Sequence, residues 1–93
     1  MTQAKTTTIG VIGAGTMGSG IALTALRAGF KVTLHDIAPD ALAQAEKYIR
    51  KHLTRKGHTA ALEKLTLTAK LDDLAGANVV IEAALEELSL KQE

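Results

Sequence analysis

The chain has 93 residues, a formal net charge of +1 and 46% hydrophobic residues, which is typical of one globular domain or part of one. Its two aromatic residues offer few stacking surfaces and its charge is small, so we expect no nucleic-acid partner and no membrane partner. The absence of cysteine excludes disulfides, thiolate metal sites and a cysteine nucleophile. Because residues 2–8 are mostly polar and no apolar run approaches about 18 residues, we expect a cytoplasmic protein.

A short apolar segment, Ile9–Ile12, runs directly into glycines with the spacing G-x-G-x-x-G. This pattern predicts a strand, a tight turn and a helix. Gly13 permits the turn, Gly15 lets a phosphate approach the backbone, and Gly18 lets the helix pack closely on the strand. The helix N-terminus supplies free N–H groups and the positive end of a dipole to an anion. Alone, the spacing is a weak signal, so its interpretation depends on the rest of the chain.

The rest of the chain alternates between strand and helix patterns, with glycine at the ends of the helices and proline at the start of one. In chain order, we predict a strand at Ile9–Ile12, a helix at Met17–Ala28 ended by Gly29, a strand at Lys31–His35, a long helix from Pro39 to Lys56 ended by Gly57, a short turn capped by Thr59, a strand at Leu65–Ala69, a brief helix at Asp72–Ala75, a strand at Asn78–Ala83, and the beginning of a helix at Glu86–Glu93. This alternation predicts right-handed crossovers and an α/β fold with a parallel sheet in the order 3-2-1-4. Residues 1–93 are then the N-terminal part of a doubly wound Rossmann domain, which we expect to be truncated after the fourth strand.

An acidic residue follows the second predicted strand. In dinucleotide-binding domains, a carboxylate about 20 residues after the glycine turn binds the adenosine ribose. Asp36 lies close to this distance from the turn. That carboxylate repels a 2′-phosphate, and neither Ile37 nor Ala38 is an arginine that would bind one, so the sequence favours NAD over NADP. The alternative is a glycine turn that only packs, with Asp36 as a solvated strand end.

Other polar groups allow two interpretations each. A basic stretch on the long helix is either a solvated face or an anchor for a phosphorylated partner, such as the nucleotide end of coenzyme A: Lys47, Arg50, Lys51, Arg55 and Lys56. The three histidines, at positions 35, 52 and 58, are interpreted as structural or solvated, and we predict no metal site. Glu82 at the end of the fourth strand and Glu86 after it lie at the topological switch point, where they either meet a cofactor ribose or mark the start of a helix.

Three segments resemble the 3-hydroxyacyl-CoA dehydrogenase family. Residues 11–22, VIGAGTMGSGIA, are similar to the opening of these enzymes, and the similarity continues at His35-Asp36-Ile37. Residues 80–91, VIEAALEELSLK, resemble the family segment I-E-A-x-x-E-x-L-x-x-K. The two end segments together are much more specific than the glycine spacing.

The resemblance implies NAD-dependent oxidation of a 3-hydroxyacyl-CoA to the 3-ketoacyl-CoA. By match to the family motifs it also implies cofactor-binding residues, with the pyrophosphate at Gly13, Ala14, Gly15, Thr16, Met17 and Gly18, the adenosine ribose at Asp36 beside Ile37, and the nicotinamide-side ribose at Glu86 and Lys91. In this family, a histidine–glutamate pair is catalytic and a helical second domain builds the dimer. Both lie beyond the matched segment, so no catalytic residue is assigned in this chain.

We therefore expect a chain that binds NAD, is inactive alone and belongs to a homodimeric parent enzyme with an acyl-CoA substrate. Its fourth strand is expected to be an exposed edge that permits self-association. Two alternatives stay open. One is another β-hydroxy acid dehydrogenase, of the 6-phosphogluconate or hydroxyisobutyrate type. The other is a non-catalytic NAD-binding or interaction module.

Overall fold

The computed structural model describes residues 7–83. The elements in that part are β1 (Thr8–Ile12), α1 (Thr16–Arg27), β2 (Lys31–His35), α2 (Pro39–Arg55), a 3₁₀ helix at Thr59–Lys64, β3 (Leu65–Thr68), a second 3₁₀ helix at Leu71–Leu74, and β4 (Val79–Glu82). The four strands and both long helices lie within one or two residues of the positions expected from the sequence. The expected helix at Glu86–Glu93 lies outside the described residues.

The four strands form one parallel sheet in the order β3-β2-β1-β4, which confirms the expected α/β topology. Ile12 at the end of β1 pairs with His35 on one side and with Glu82 on the other. The carboxyl ends of β1, β2 and β4 therefore meet at one edge of the sheet. In an open α/β sheet, ligands bind at this edge, next to the point where the strand order reverses.

One face of the sheet and both α-helices share the apolar core. Val11 and Leu34 are register partners on this face, and both are fully buried. Leu26 of α1 and Ile49 of α2 pack into the same cluster, because each helix has an apolar stripe at helical spacing. The two helices are thereby fixed against the strands whose ends form the ligand edge.

The other face of the sheet is crossed by the segment after β3. Gly10 lies there, because strand side chains alternate and its neighbour Val11 faces the helices. A Cβ atom on Gly10 would lie 3.0 Å from Leu74 Cδ2 and 3.2 Å from Ala77 Cβ. The missing side chain lets the second 3₁₀ helix and the residues after it approach the sheet closely.

Both α-helices end at the glycines that the sequence predicted. Gly29 and Gly57 have φ values of 97° and 77°, a left-handed conformation that glycine adopts without steric cost. In each case the following residue donates its N–H back into the last helical turn.

Within the described residues, no helix is long and apolar enough to cross a bilayer.

The prediction that Thr59 caps a turn is wrong. His58 occupies the N-cap position of the first 3₁₀ helix, without a side-chain hydrogen bond, and Thr59 is its first residue. The cause is the end of α2, where the His58 N–H donates to the Leu53 carbonyl at 2.8 Å. This hydrogen bond closes the chain directly into the 3₁₀ helix, one residue earlier than expected.

Candidate functional site

The turn after β1 has a conformation that requires glycine at its first position. Gly13 has a φ of 104°, and its N–H donates to the carbonyl of His35 at 2.7 Å. The turn is thereby tied to the end of β2 as well as to β1. The predicted role of Gly13 as the turn residue is confirmed.

Gly18 is fixed by contact with the turn itself. A Cβ atom at this position would lie 1.7 Å from the Gly13 carbonyl oxygen and 2.8 Å from its carbon, whereas Val11 Cγ1 would be at an ordinary 3.5 Å. The sequence predicted close packing between helix and strand. The tightest contact is instead between the first turn of α1 and the backbone of Gly13.

The N-terminus of α1 has no side-chain cap. Gly15 is the N-cap residue, and Ser19 donates its N–H to the Gly15 carbonyl at 2.9 Å. The N–H groups before Ser19 have no carbonyl four residues earlier inside the helix, as at every helix start. Thr16 and Met17 are exposed, so this end of the dipole faces solvent at the edge where the strands end.

The carboxylate of Asp36 lies against the glycine turn. Its Oδ2 accepts the N–H of Ala14 at 2.8 Å, and its Oδ1 accepts the N–H of Ala38 at 2.9 Å. An ionised carboxylate has about four acceptor positions, so two remain for a ligand. The sequence placed Asp36 at the same sheet edge as the turn, but it did not predict the direct bond to Ala14.

Ser19 is a residue of the site that the sequence interpretation missed. Its side chain is buried, and its Oγ donates to the Ala14 carbonyl at 3.2 Å. The available signal was a hydroxyl residue on the apolar, buried face of a helix, since such a group needs a hydrogen-bond partner. The first two residues of the turn are thus held by α1 as well as by β2.

Of the other predicted cofactor residues, two lie at the ligand edge and two lie outside the described part of the chain. Ile37, directly after Asp36, is 80% exposed, and Met17 at the start of α1 is 40% exposed. Both place apolar surface at the ligand edge. Glu86 and Lys91 lie outside the described residues.

The three histidines are dispersed through the fold. His35 is buried, and its Nδ1 has no hydrogen-bond partner among residues 7–83. The ring of His52 packs on Tyr48 with centroids 4.4 Å apart, and His58 is exposed after the end of α2. No group of three or more His, Cys, Asp or Glu residues within the described part is arranged to hold a metal ion.

The basic stretch lies on the exposed side of α2. Arg50 forms an ion pair with Glu46, one turn earlier, at 2.8 Å. Lys47, Lys51 and Arg55 are exposed. The solvated-face and anchor interpretations both fit this arrangement.

Three features of the structure together define a class of protein. They are the parallel sheet in the order 3-2-1-4, the glycine turn that leads into an uncapped helix, and the carboxylate at the end of the second strand. They are the features of a dinucleotide-binding α/β domain.

Residues 8–93 match the family model of the 3-hydroxyacyl-CoA dehydrogenase, NAD binding domain. A 3-hydroxybutyryl-CoA dehydrogenase of Bradyrhizobium diazoefficiens is 41% identical over 93 residues, an alignment that covers 90% of this chain and 32% of that protein. The chain therefore belongs to the NAD-binding domain of the 3-hydroxyacyl-CoA dehydrogenase family. The predicted family, Rossmann fold and NAD cofactor are confirmed.

Solved structures share the fold of this chain. FadB2 of Mycobacterium tuberculosis superimposes with a TM-score of 0.76 at 39% identity, covering 89% of this chain and 32% of that one. Lactate dehydrogenase of Cryptosporidium parvum, determined in complex with lactic acid and NAD, gives a TM-score of 0.66 at 29% identity over 84% of this chain and 24% of that one. The chain spans about a third of the length of the B. diazoefficiens enzyme and of FadB2.

Proposed function

We propose that this chain binds NAD with the pyrophosphate at the N-terminus of α1 and the adenosine ribose at Asp36. The observation that carries the proposal is the contact between the two elements, since the Asp36 carboxylate is bonded to the turn that leads into the uncapped helix. The two free acceptor positions of the Asp36 carboxylate suit two ribose hydroxyls. Bound NAD supplies the family's reaction with a hydride acceptor.

Individual residues then have distinct roles. The backbone N–H groups of Gly15, Thr16 and Met17 are proposed to bind the pyrophosphate, because they open α1 without a side-chain cap. The exposed side chain of Ile37 offers an apolar surface to the adenine. Glu86 and Lys91 are proposed for the nicotinamide-side ribose, on the basis of the family resemblance alone.

For the whole protein, we propose a cytoplasmic, homodimeric enzyme that oxidises a 3-hydroxyacyl-CoA to the 3-ketoacyl-CoA. The support is the family membership and the relative named 3-hydroxybutyryl-CoA dehydrogenase. The residues of this chain contribute the cofactor side of the site, and the general base on the hydroxyl is not assigned to any of them.

The chain alone should bind NAD weakly and should not oxidise 3-hydroxybutyryl-CoA. A general base has to reach the hydroxyl proton within hydrogen-bond distance. His35 is buried, His52 packs on Tyr48, and His58 follows the end of α2 that is remote from Asp36. NAD binding is measured by calorimetry, and turnover by NADH absorbance.

The enzyme of B. diazoefficiens serves as the active control in that assay. Turnover by the 93-residue chain above the level without protein would contradict the proposal that it is inactive alone. No NAD binding at millimolar cofactor would contradict the cofactor site itself. A third result would favour the alternative of a non-catalytic NAD-binding module. In that result, the chain binds NAD, and no longer protein that contains it binds an acyl-CoA.

We also propose that the chain self-associates through β4. This strand is the outermost one on its side of the described sheet, and Val79 and Val80 are 50% and 46% exposed. An exposed apolar edge strand favours pairing with a second copy. Light scattering should show a mass that rises with concentration, and Val80→Lys should reduce the rise. A monomer at millimolar concentration would contradict this interface.

A further inference from the structure

The glycine turn is held by three hydrogen bonds that come from different elements. The Gly13 N–H donates to the His35 carbonyl at 2.7 Å, at the end of β2. The Ala14 N–H donates to Asp36 Oδ2 at 2.8 Å, and the Ala14 carbonyl accepts from Ser19 Oγ at 3.2 Å. The peptide groups on both sides of Ala14 are therefore fixed before any ligand arrives.

The bond from Ala14 to Asp36 differs from the other two because its acceptor is charged. A hydrogen bond to a charged group contributes more than a neutral one, and Ala14 itself is only 4% exposed. The carboxylate cannot turn away easily. Its second oxygen accepts the Ala38 N–H, and the Asp36 N–H donates to the Thr68 carbonyl at 3.2 Å on β3.

We infer that Asp36 is a positioning residue for the pyrophosphate site as well as a ribose ligand. Its carboxylate fixes the Ala14 amide, and the next residues in the chain are the N-cap Gly15 and the first turn of α1. Without the carboxylate, the part-buried Ala14 N–H loses its charged acceptor, and this peptide group is held less firmly. The inference rests on the proposed NAD site, because it assigns the N-terminus of α1 to the pyrophosphate.

Two effects of Asp36 on an anion have opposite signs. A carboxylate near a phosphate site repels the phosphate, so its removal should strengthen anion binding if charge alone matters. If the carboxylate holds the turn, its removal should weaken anion binding despite the lost repulsion. The direction of the change therefore separates positioning from charge, and no ribose is needed to observe it.

The experiment compares the wild-type chain with Asp36→Ala, Asp36→Asn and the control Asp40→Asn. Asp40 lies in the first turn of α2, so the control removes one negative charge near the same edge without touching the turn. Two quantities are measured for each protein. One is hydrogen exchange at the Ala14 amide by NMR without ligand, and the other is the affinity for inorganic pyrophosphate by calorimetry.

For Asp36→Ala, we expect Ala14 exchange to become faster and pyrophosphate affinity to fall about tenfold, corresponding to the loss of one charged hydrogen bond. Asp36→Asn retains one acceptor oxygen, so its Ala14 exchange rate and its pyrophosphate affinity should lie between those of Asp36→Ala and the wild type. This variant also tests the inference if Asp36→Ala does not fold. Asp40→Asn should leave hydrogen exchange at the Ala14 amide unchanged and raise pyrophosphate affinity slightly.

The inference is overturned if Asp36→Ala and Asp36→Asn keep slow Ala14 exchange, or if both bind pyrophosphate as tightly as the wild type or more tightly. Failure of the proposed cofactor site gives a different result. In that case the wild-type chain binds neither NAD nor pyrophosphate, and the effect of Asp36 on the turn is still decided by the Ala14 amide.

Discussion

Replacing Gly18 with alanine should destabilise the chain strongly and abolish NAD binding. The new methyl group would lie 1.7 Å from the Gly13 carbonyl oxygen, so either the turn or α1 must move. Overpacking of this kind costs about 1–3 kcal/mol, and more where the obstructing atom belongs to the backbone. In a chain of this size, 2 kcal/mol lowers the melting temperature by about 8–16 °C. Thermal unfolding by circular dichroism and NAD calorimetry measure the two effects.

Gly20→Ala is the matched control because it makes the same chemical change in the same helix. A Cβ atom at Gly20 has no heavy atom within 4 Å, apart from its chain neighbours and the helix backbone around it. Alanine there should stabilise α1 by about 0.5–1 kcal/mol through helix propensity, and NAD binding should be retained. Equal melting temperatures for the two variants would show that the contact with Gly13 does not limit the turn.

The topology was accessible from the sequence because it depends on short-range patterns. The apolar run at Ile9–Ile12 and the β-branched segment at Lys31–His35 have strand character, and the glycines that end the helices mark their bounds. Handedness and connection rules then leave few arrangements of four parallel strands. Asp36 was found in the same way, because its distance from the glycine turn follows from the length of one strand–helix–strand unit.

The contacts inside the site were not accessible in that way. The approach of Gly18 to the Gly13 carbonyl depends on how steeply α1 leaves the turn, and spacing in the sequence does not encode this angle. The bond from Ala14 to Asp36 joins residues 22 positions apart and depends on the register of β1 against β2. Ser19 was overlooked because a small hydroxyl residue on a helix does not reveal its partner without coordinates.

The double variant Asp36→Ala/Ile37→Arg should reverse the cofactor preference from NAD to NADP. Removing the carboxylate eliminates both its hydrogen bonds to the ribose and its repulsion of a 2′-phosphate, and the arginine replaces an exposed side chain at the adjoining position. Hydrogen bonds to charged groups contribute about 1.5–3 kcal/mol each, so together these changes should shift the difference in binding free energy between the two cofactors by about 2–4 kcal/mol. The ratio of NADP affinity to NAD affinity should therefore rise on the order of 100-fold. Calorimetric titration of both cofactors measures the ratio.

The absolute affinities test the second role of Asp36 in the same experiment. If the carboxylate also holds Ala14 in place, the double variant should bind NADP more weakly than the wild type binds NAD, even though the preference is reversed. Ile37→Arg alone keeps the turn intact and retains the repulsion, so its ratio should change less than about tenfold. A double variant that bound NADP as tightly as the wild type binds NAD would separate the two roles, because ribose selection would then be independent of the turn. An unchanged ratio would remove Asp36 from the ribose site altogether.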